Sequence, residues 1–86
     1  MNNLHYITEA RPGLVIQHKL HDKDPSYDFE ATVMSSDKRC NELYVIVQNS
    51  NGHSWSETWN LAHTNSALSQ GEYIVVADNG TGEDND

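Results

Sequence analysis

One segment of this chain, GHSWSETWNLAHT, places a carboxylate between two large aromatic rings. Trp55 and Trp59 are four residues apart, Glu57 lies midway between them, and His53 precedes Trp55 by two residues. On a β-strand all four side chains would fall on one face, because alternate residues of a strand point the same way. Aromatic rings beside a carboxylate can bind a cation. The same rings can instead fill a small hydrophobic core.

The residues around this segment favour a strand over a helix. The spacing of four alone leaves both structures open, because it also puts Trp55 and Trp59 on one face of a helix. The preceding run LYVIVQN is β-branched and aromatic, and the Asn-Gly pair that follows it is typical of a hairpin turn. The intervening Ser and Thr residues also suit an extended backbone. We therefore predict a hairpin whose second strand carries the tryptophans.

The two tryptophans are predicted to differ in burial. Trp59 precedes the point where the chain turns toward a predicted helix and closes the core, whereas Trp55 lies nearer the tip of the hairpin. We therefore expect Trp59 to be the more buried ring. A carboxylate on this face is costly to bury alone. Either the face is partly open, or Glu57 has a paired donor, for which the candidates are His53, His63 and Arg11.

The predicted binding residues are Trp55, Glu57, Trp59, His53 and Tyr44. Tyr44 and Tyr27 are further rings that could join the tryptophans in a cage around a cation such as a methylated lysine. The alternative is that at least one tryptophan belongs to the core. Only 36% of the residues are hydrophobic, so a small domain needs its large rings as fillers.

The rest of the chain predicts a small, mainly β domain. Alternating or β-branched patterns predict strands at residues 14–20, 27–34, 43–49, 53–59 and 72–77. The polar segment SSDKRCNE between the second and third strands predicts a turn. The segment NLAHTNSALSQG predicts one or two turns of helix, with Thr64 as its N-cap and Gly71 at its C-terminal end.

This order of elements resembles the SH3-like barrels, including the chromo-barrel and Tudor types. The resemblance rests on the opening PGLVIQHKL and on FEATVM followed by LYVIVQNSNGHSWSETWNL. It covers about residues 12–77 and implies a five-stranded SH3-like barrel with one short helix before the last strand. The short chain predicts a single domain, formed by residues 1–77. The acidic C-terminus and the W-x-E-x-W-N-L segment also look like the small accessory proteins of large tailed phages.

The chain is strongly acidic, with 13 acidic and 5 basic residues and a formal charge of −8. Residues 78–86, DNGTGEDND, contain no hydrophobic residue and are predicted to be a disordered acidic tail, either a solubilising end or an arm that contacts a basic partner. We expect no direct binding of nucleic acid, which requires a basic surface. The charge leaves a different possibility open, which is mimicry of nucleic acid at a basic groove.

Other functional classes have weaker signals. The pair His18 and His21 in HKLH lacks the spacing that puts two zinc ligands on one face of a strand, so we predict no metal and no cofactor. Lys38 and Arg39 are expected to lower the pKa of Cys40 somewhat, but no nucleophile motif surrounds it, and we predict no enzymatic activity.

The absence of a leader-like or membrane-spanning segment predicts a cytoplasmic protein, in the host cell if the chain is phage-encoded. The function predicted is an acidic protein-interaction module that binds a host or phage protein. The alternative is a nucleic-acid mimic that inhibits a DNA- or RNA-binding protein. A mimic needs carboxylates aligned along its surface, and only Asp22, Asp24, Asp28 and Glu30 are clustered, so the interaction module is preferred.

Overall fold

The computed structural model describes residues 7–79, which form one antiparallel sheet and one α-helix. The elements in chain order are β1 (Leu14–His18), a short 3-10 helix (Pro25–Tyr27), β2 (Glu30–Asp37), β3 (Glu42–Gln48), β4 (Ser54–Asn60), α1 (Leu61–Ser69) and β5 (Tyr73–Asp78). The mainly β class and the helix before the last strand are confirmed. The strand order is β4-β3-β2-β1-β5, so β4 and β5 are the edges. The sheet is not closed, and the predicted barrel is therefore not confirmed.

Alternation along the strands separates a buried face from an exposed one. On β3, Leu43, Val45 and Val47 are buried, whereas Tyr44 and Ile46 are exposed. Residues directly opposite one another on paired strands share a face. The register Val47↔Trp55, Val45↔Glu57 and Leu43↔Trp59 therefore places both tryptophans and the carboxylate on the core side of the sheet. The three residues share one face, as the sequence pattern predicts, and we call this core side the inner face.

The sheet is strongly curled. Four strand intervals separate β4 from β5, which in a flat sheet would amount to about 19 Å. Yet the rings of Trp59 on β4 and Tyr73 on β5 stack with their centroids 5.6 Å apart. Register shifts between Val15 and Ile16 and between Val33 and Ser35 mark bulges, which bend strands. Side chains therefore join the two edges, without a hydrogen-bonded ladder.

The second strand begins and ends later than the sequence pattern predicts. Pro25 suits the start of the short 3-10 helix, and the carboxylate of Asp24 caps that helix by accepting the N–H of Ser26. Tyr27 consequently lies outside the sheet. At the other end the polar residues up to Asp37 remain paired with β3. Main-chain pairing does not require hydrophobic side chains, so the hydrophobic pattern underestimates this hairpin.

The helix begins at a different cap from the one predicted. The side chain of Asn60 accepts the N–H of His63, so Asn60 is the N-cap. Thr64 is a buried residue of the first turn, whose hydroxyl bonds the Asn60 carbonyl. At the C-terminal end Gly71 has a φ of 79°. Its N–H bonds Leu68 and the next N–H bonds Ala67, the Schellman arrangement that a glycine favours. The predicted role of Gly71 is confirmed.

The last strand extends one residue beyond its predicted end. Asp78 pairs with Leu14 in the register of β1 and β5, and its carboxylate lies 2.5 Å from the guanidinium of Arg11. The first residue assigned to the acidic tail thus belongs to the sheet. Residues 80–86 of that predicted tail lie outside the described residues. Within residues 7–79, no helix has the length and hydrophobicity of a membrane span.

Candidate functional site

Glu57 is held between the two tryptophans that flank it on β4. Its Oε2 accepts the indole N–H of Trp55 at 2.6 Å, and its Oε1 accepts the indole N–H of Trp59 at 2.7 Å. Both are charge-assisted hydrogen bonds, which are stronger than neutral ones. We call Trp55, Glu57 and Trp59 the Trp-Glu-Trp face. The sequence pattern brings these three together correctly, but the donors to Glu57 are the indoles themselves.

The two rings differ in burial as predicted. Trp55 is 41% exposed, whereas Trp59 is partly buried and packs against the hydrophobic core. The ring of Trp59 stacks on Tyr73 and meets Phe29 edge to face, with centroids 6.4 Å apart. Trp59 therefore fixes one end of the face to the core, and Trp55 offers the more accessible ring.

Further aromatic rings continue the inner face beyond Trp59. Tyr73 contacts the imidazole of His18 edge to face, and that imidazole stacks on Tyr27 at 3.7 Å. Burial, followed by the charges of Glu72 and Glu57, raises the pKa of the Tyr73 phenol. The Glu57 carboxylate that accepts the indole N–H groups therefore also contributes to the raised pKa of Tyr73. Trp59, Tyr73, His18 and Tyr27 therefore form a connected row of rings in which His18 is buried, and Glu57 lies at the Trp59 end of that row.

The charge of this region is negative. The sequences of β3, β4 and β5 contain no lysine or arginine. The donors to Glu57 that the sequence predicts do not bond it. Arg11 bonds Asp78 instead, and His63 is an exposed residue of α1. His53 is exposed at the hairpin turn, where its main chain bonds Asn49. A cation that approached the Trp-Glu-Trp face would meet no basic side chain on these strands.

Tyr44 lies on the opposite face of the sheet from the tryptophans. It pairs with Thr58, and its hydroxyl donates to Oε1 of Glu42 at 2.5 Å. The prediction that Tyr44 shares a site with Trp55 and Trp59 is therefore wrong. The strand alternation itself places residue 44 outward, because residues 43, 45 and 47 are the buried ones. The hydrogen bond to Glu42 raises the pKa of Tyr44 to about 12.

Replacing Glu42 with glutamine is expected to return the pKa of Tyr44 toward its ordinary value of about 10. The folded-state pKa is raised, so the stabilisation from the neutral phenol is present below pH 10 and is lost as the pH rises through about 12. Ultraviolet titration of tyrosinate, with Tyr44→Phe to assign the signal, measures this shift. An unchanged titration in Glu42→Gln would show that Glu42 is not its cause.

The outer face carries an exposed hydrophobic patch close to the β4 edge. Met34 is 57% exposed, Tyr44 36% and Ile46 38%. They line a depression of about 320 Å³ together with Ser56 and Thr58, the outward-facing residues of β4. The β4 strand therefore separates two different surfaces, an aromatic and acidic one inside and a hydrophobic one outside.

The clustered acids between β1 and β2 are engaged in local contacts. Asp22 lies 2.9 Å from Nδ1 of His21, Asp28 accepts the hydroxyl of Ser50, and Glu30 accepts the side-chain amide of Gln17. Asp24 caps the short 3-10 helix. Among residues 7–79, no group of three His, Cys, Asp or Glu side chains is placed to hold a metal ion.

The local electrostatics of Cys40 are the opposite of those expected from its basic neighbours. The hydrogen bond that the Cys40 thiol donates to Asp37, and the charge of that carboxylate, raise the pKa of the thiol. Asp37 also accepts the main-chain N–H groups of Arg39 and Cys40, so the turn folds around this acid. Lys38 and Arg39 therefore do not determine the thiol's ionisation.

Tyr73 and Phe29 are the contributors to the inner face that the sequence analysis missed. Tyr73 begins β5 and alternates with buried Val75, so its position on the inner face could have been found from periodicity. Its contact with Trp59 could not, because that contact depends on the curl of the sheet. Comparison of the chain with protein-family models, with curated proteins and with solved structures gives no significant match.

Proposed function

We propose that this protein is an interaction module that binds a cationic side chain of a partner protein on the Trp-Glu-Trp face. The observation that supports this is the carboxylate of Glu57, which is held in place by Trp55 and Trp59 on a partly exposed aromatic surface. The partner is a protein with an accessible lysine or arginine. In a phage-infected cell, that partner would be a host or phage protein.

The carboxylate has acceptor capacity beyond the two indoles. A carboxylate offers about four lone-pair sites, and each oxygen of Glu57 accepts one indole N–H. An ammonium or guanidinium group can therefore donate to the remaining sites. A cation placed over an aromatic ring gains about 0.5–2 kcal/mol in addition. A cation that lies over Trp55 or Trp59 gains from both the hydrogen bonds to Glu57 and the attraction of the ring.

The site is preorganised, which favours a binding role. The indole hydrogen bonds fix the carboxylate, and the contacts of Trp59 with Tyr73 and Phe29 fix one of the rings. A partner would not have to order these groups, so less of its interaction energy would be lost on association.

We also propose that the curled sheet is an SH3-like barrel. Its five short strands and the helix directly before the last one support that assignment.

The test is binding of a short lysine peptide to the wild type, to Glu57→Gln and to Glu42→Gln. Both variants remove one negative charge, but Glu42 lies on the outer face beside Tyr44. We expect Glu57→Gln to weaken binding about tenfold and Glu42→Gln to change it by no more than about twofold. Tryptophan fluorescence reports the titration. An acetyl-lysine peptide of the same sequence keeps the shape without the charge and should bind poorly.

Equal weakening by both variants would contradict the proposal, because it would show attraction to the net charge of −8 rather than to this face. Binding of the acetylated peptide as tightly as the charged one would also contradict it. Circular dichroism of both variants confirms that the fold is retained before the affinities are compared.

A further inference from the structure

The side of β4 that faces away from β3 is a long and regular sheet edge. All seven residues of Ser54–Asn60 pair with β3 without a register shift, in contrast to the bulged ladders of β1 with β5 and of β2 with β3. Among residues 7–79, no strand pairs with the other side of β4. Proteins commonly protect such edges with lysine, proline or a bulge. The sequence SWSETWN has none of these, and its one charged side chain is Glu57.

The hydrogen bonds at both ends of the hairpin identify the main-chain groups that face outward. Asn49 N–H bonds the carbonyl of His53, and Leu61 N–H bonds the carbonyl of Asn41. In an antiparallel pair, hydrogen-bonded positions recur at every second residue. The main chain of Trp55, Glu57 and Trp59 is therefore directed toward β3. The N–H and C=O groups of the alternate residues Ser54, Ser56 and Thr58 are directed away from the sheet.

We infer that this edge accepts an extended basic segment of a partner protein as a sixth, antiparallel strand. Peptides that add to a sheet edge gain main-chain hydrogen bonds, and their alternate side chains meet the two faces. One row of side chains would lie beside the Trp-Glu-Trp face. The other row would lie beside Ser56 and Thr58, next to the patch formed by Met34, Tyr44 and Ile46. The main-chain pairing is inferred from the geometry of β4 alone. The basic character of the segment depends on the proposed function.

The negative charge of Glu57, at the centre of this edge, favours a basic segment over other strands. An uncharged strand laid along β4 would remove water from the acceptor sites of Glu57 that the two indoles leave free, and would put no donor in its place, which is costly. A second copy of the chain brings another charge of −8, and pairing of β4 with itself about Glu57 would place two carboxylates directly opposite. A strand with lysine or arginine opposite Glu57 removes both penalties. Glu57 thus discourages self-association and favours a basic partner.

Main-chain N-methylation of a peptide tests the pairing without changing its charge. The probe is a short peptide of alternating lysine and threonine. In antiparallel addition, its hydrogen-bonding residues share the face of Ser56 and Thr58, and the other residues lie opposite Glu57. We therefore expect threonines at the hydrogen-bonding positions. N-methylation of the threonine amides should weaken binding about tenfold, and N-methylation of the lysine amides should change it by no more than about twofold.

The outcomes separate this inference from the proposed function. Equal affinities of the two N-methylated peptides would overturn strand addition, even if Glu57→Gln still weakened binding. A difference between the two peptides that persists while Glu57→Gln has no effect would support strand addition and remove the cation-binding role. Sedimentation of the free protein as a dimer, together with no binding of the peptide, would assign the edge to a second copy and overturn the inference.

Discussion

Replacing Trp59 with alanine is expected to lower the free energy of unfolding by about 3 kcal/mol. The ring packs against the core, stacks on Tyr73, meets Phe29 and donates to Glu57. Its removal leaves a cavity where side chains of the two edge strands are in contact. A small domain is stabilised by only about 5 kcal/mol, so this variant would keep less than half of its stability. Urea denaturation followed by circular dichroism measures the change.

Trp55→Ala is the matched control for this prediction. It removes the same side chain and the same kind of hydrogen bond to Glu57, but from a ring that is 41% exposed. We expect a loss of about 1 kcal/mol or less. Iodide quenching of Trp55→Phe and Trp59→Phe compares the accessibility of the remaining ring directly. Equal destabilisation by the two alanine variants, or stronger quenching of Trp59, would show that Trp59 does not join the edges.

Replacing Ile16 with alanine is expected to cost about 2–5 kcal/mol. Ile16 is fully buried on β1, where it pairs with Ala31 of β2 and with Val75 of β5. Both of these neighbours are small or β-branched and buried, so they cannot fill the space that the removed atoms leave. The same denaturation measurement applies.

Ile46→Ala is the control for Ile16→Ala, because it removes the same atoms from the outer face. Ile46 is 38% exposed and lies on β3. Its loss should cost less than about 1 kcal/mol, since much of its surface already contacts water. If Ile46→Ala were as destabilising as Ile16→Ala, the assignment of inner and outer faces would be incorrect.

Local patterns predicted much of the fold. The β-branched and aromatic composition of residues 43–49 identified β3, and alternation identified the face that carries the tryptophans. The Asn-Gly signal identified the hairpin between β3 and β4. The second strand was displaced because Tyr27 and Phe29 continue an alternating pattern that the turn at Pro25 interrupts. The helix cap was displaced by four residues because Asn60 and Thr64 are both favourable N-caps.

The candidate site was predictable only in part. Strand periodicity placed Trp55, Glu57 and Trp59 together, and it would have separated Tyr44 from them had it been applied to both strands of the hairpin. The partners of Glu57 depend on how the indole rings are turned, which no sequence pattern specifies. The stacking of Trp59 on Tyr73 depends on the curl of the whole sheet. Whether the sheet closes is likewise a property of long-range geometry.

The pairing of β1 with β5 determines when the sheet can be completed during synthesis of the chain. The hairpins β2-β3 and β3-β4 join neighbouring segments, whereas Leu14 pairs with Asp78 near the far end of the described chain. Closing so long a loop costs more chain entropy than closing a hairpin, and contacts between distant residues slow folding. During synthesis, β1 has no second neighbour until the last strand has left the ribosome. The native sheet is therefore completed only after translation has passed residue 78.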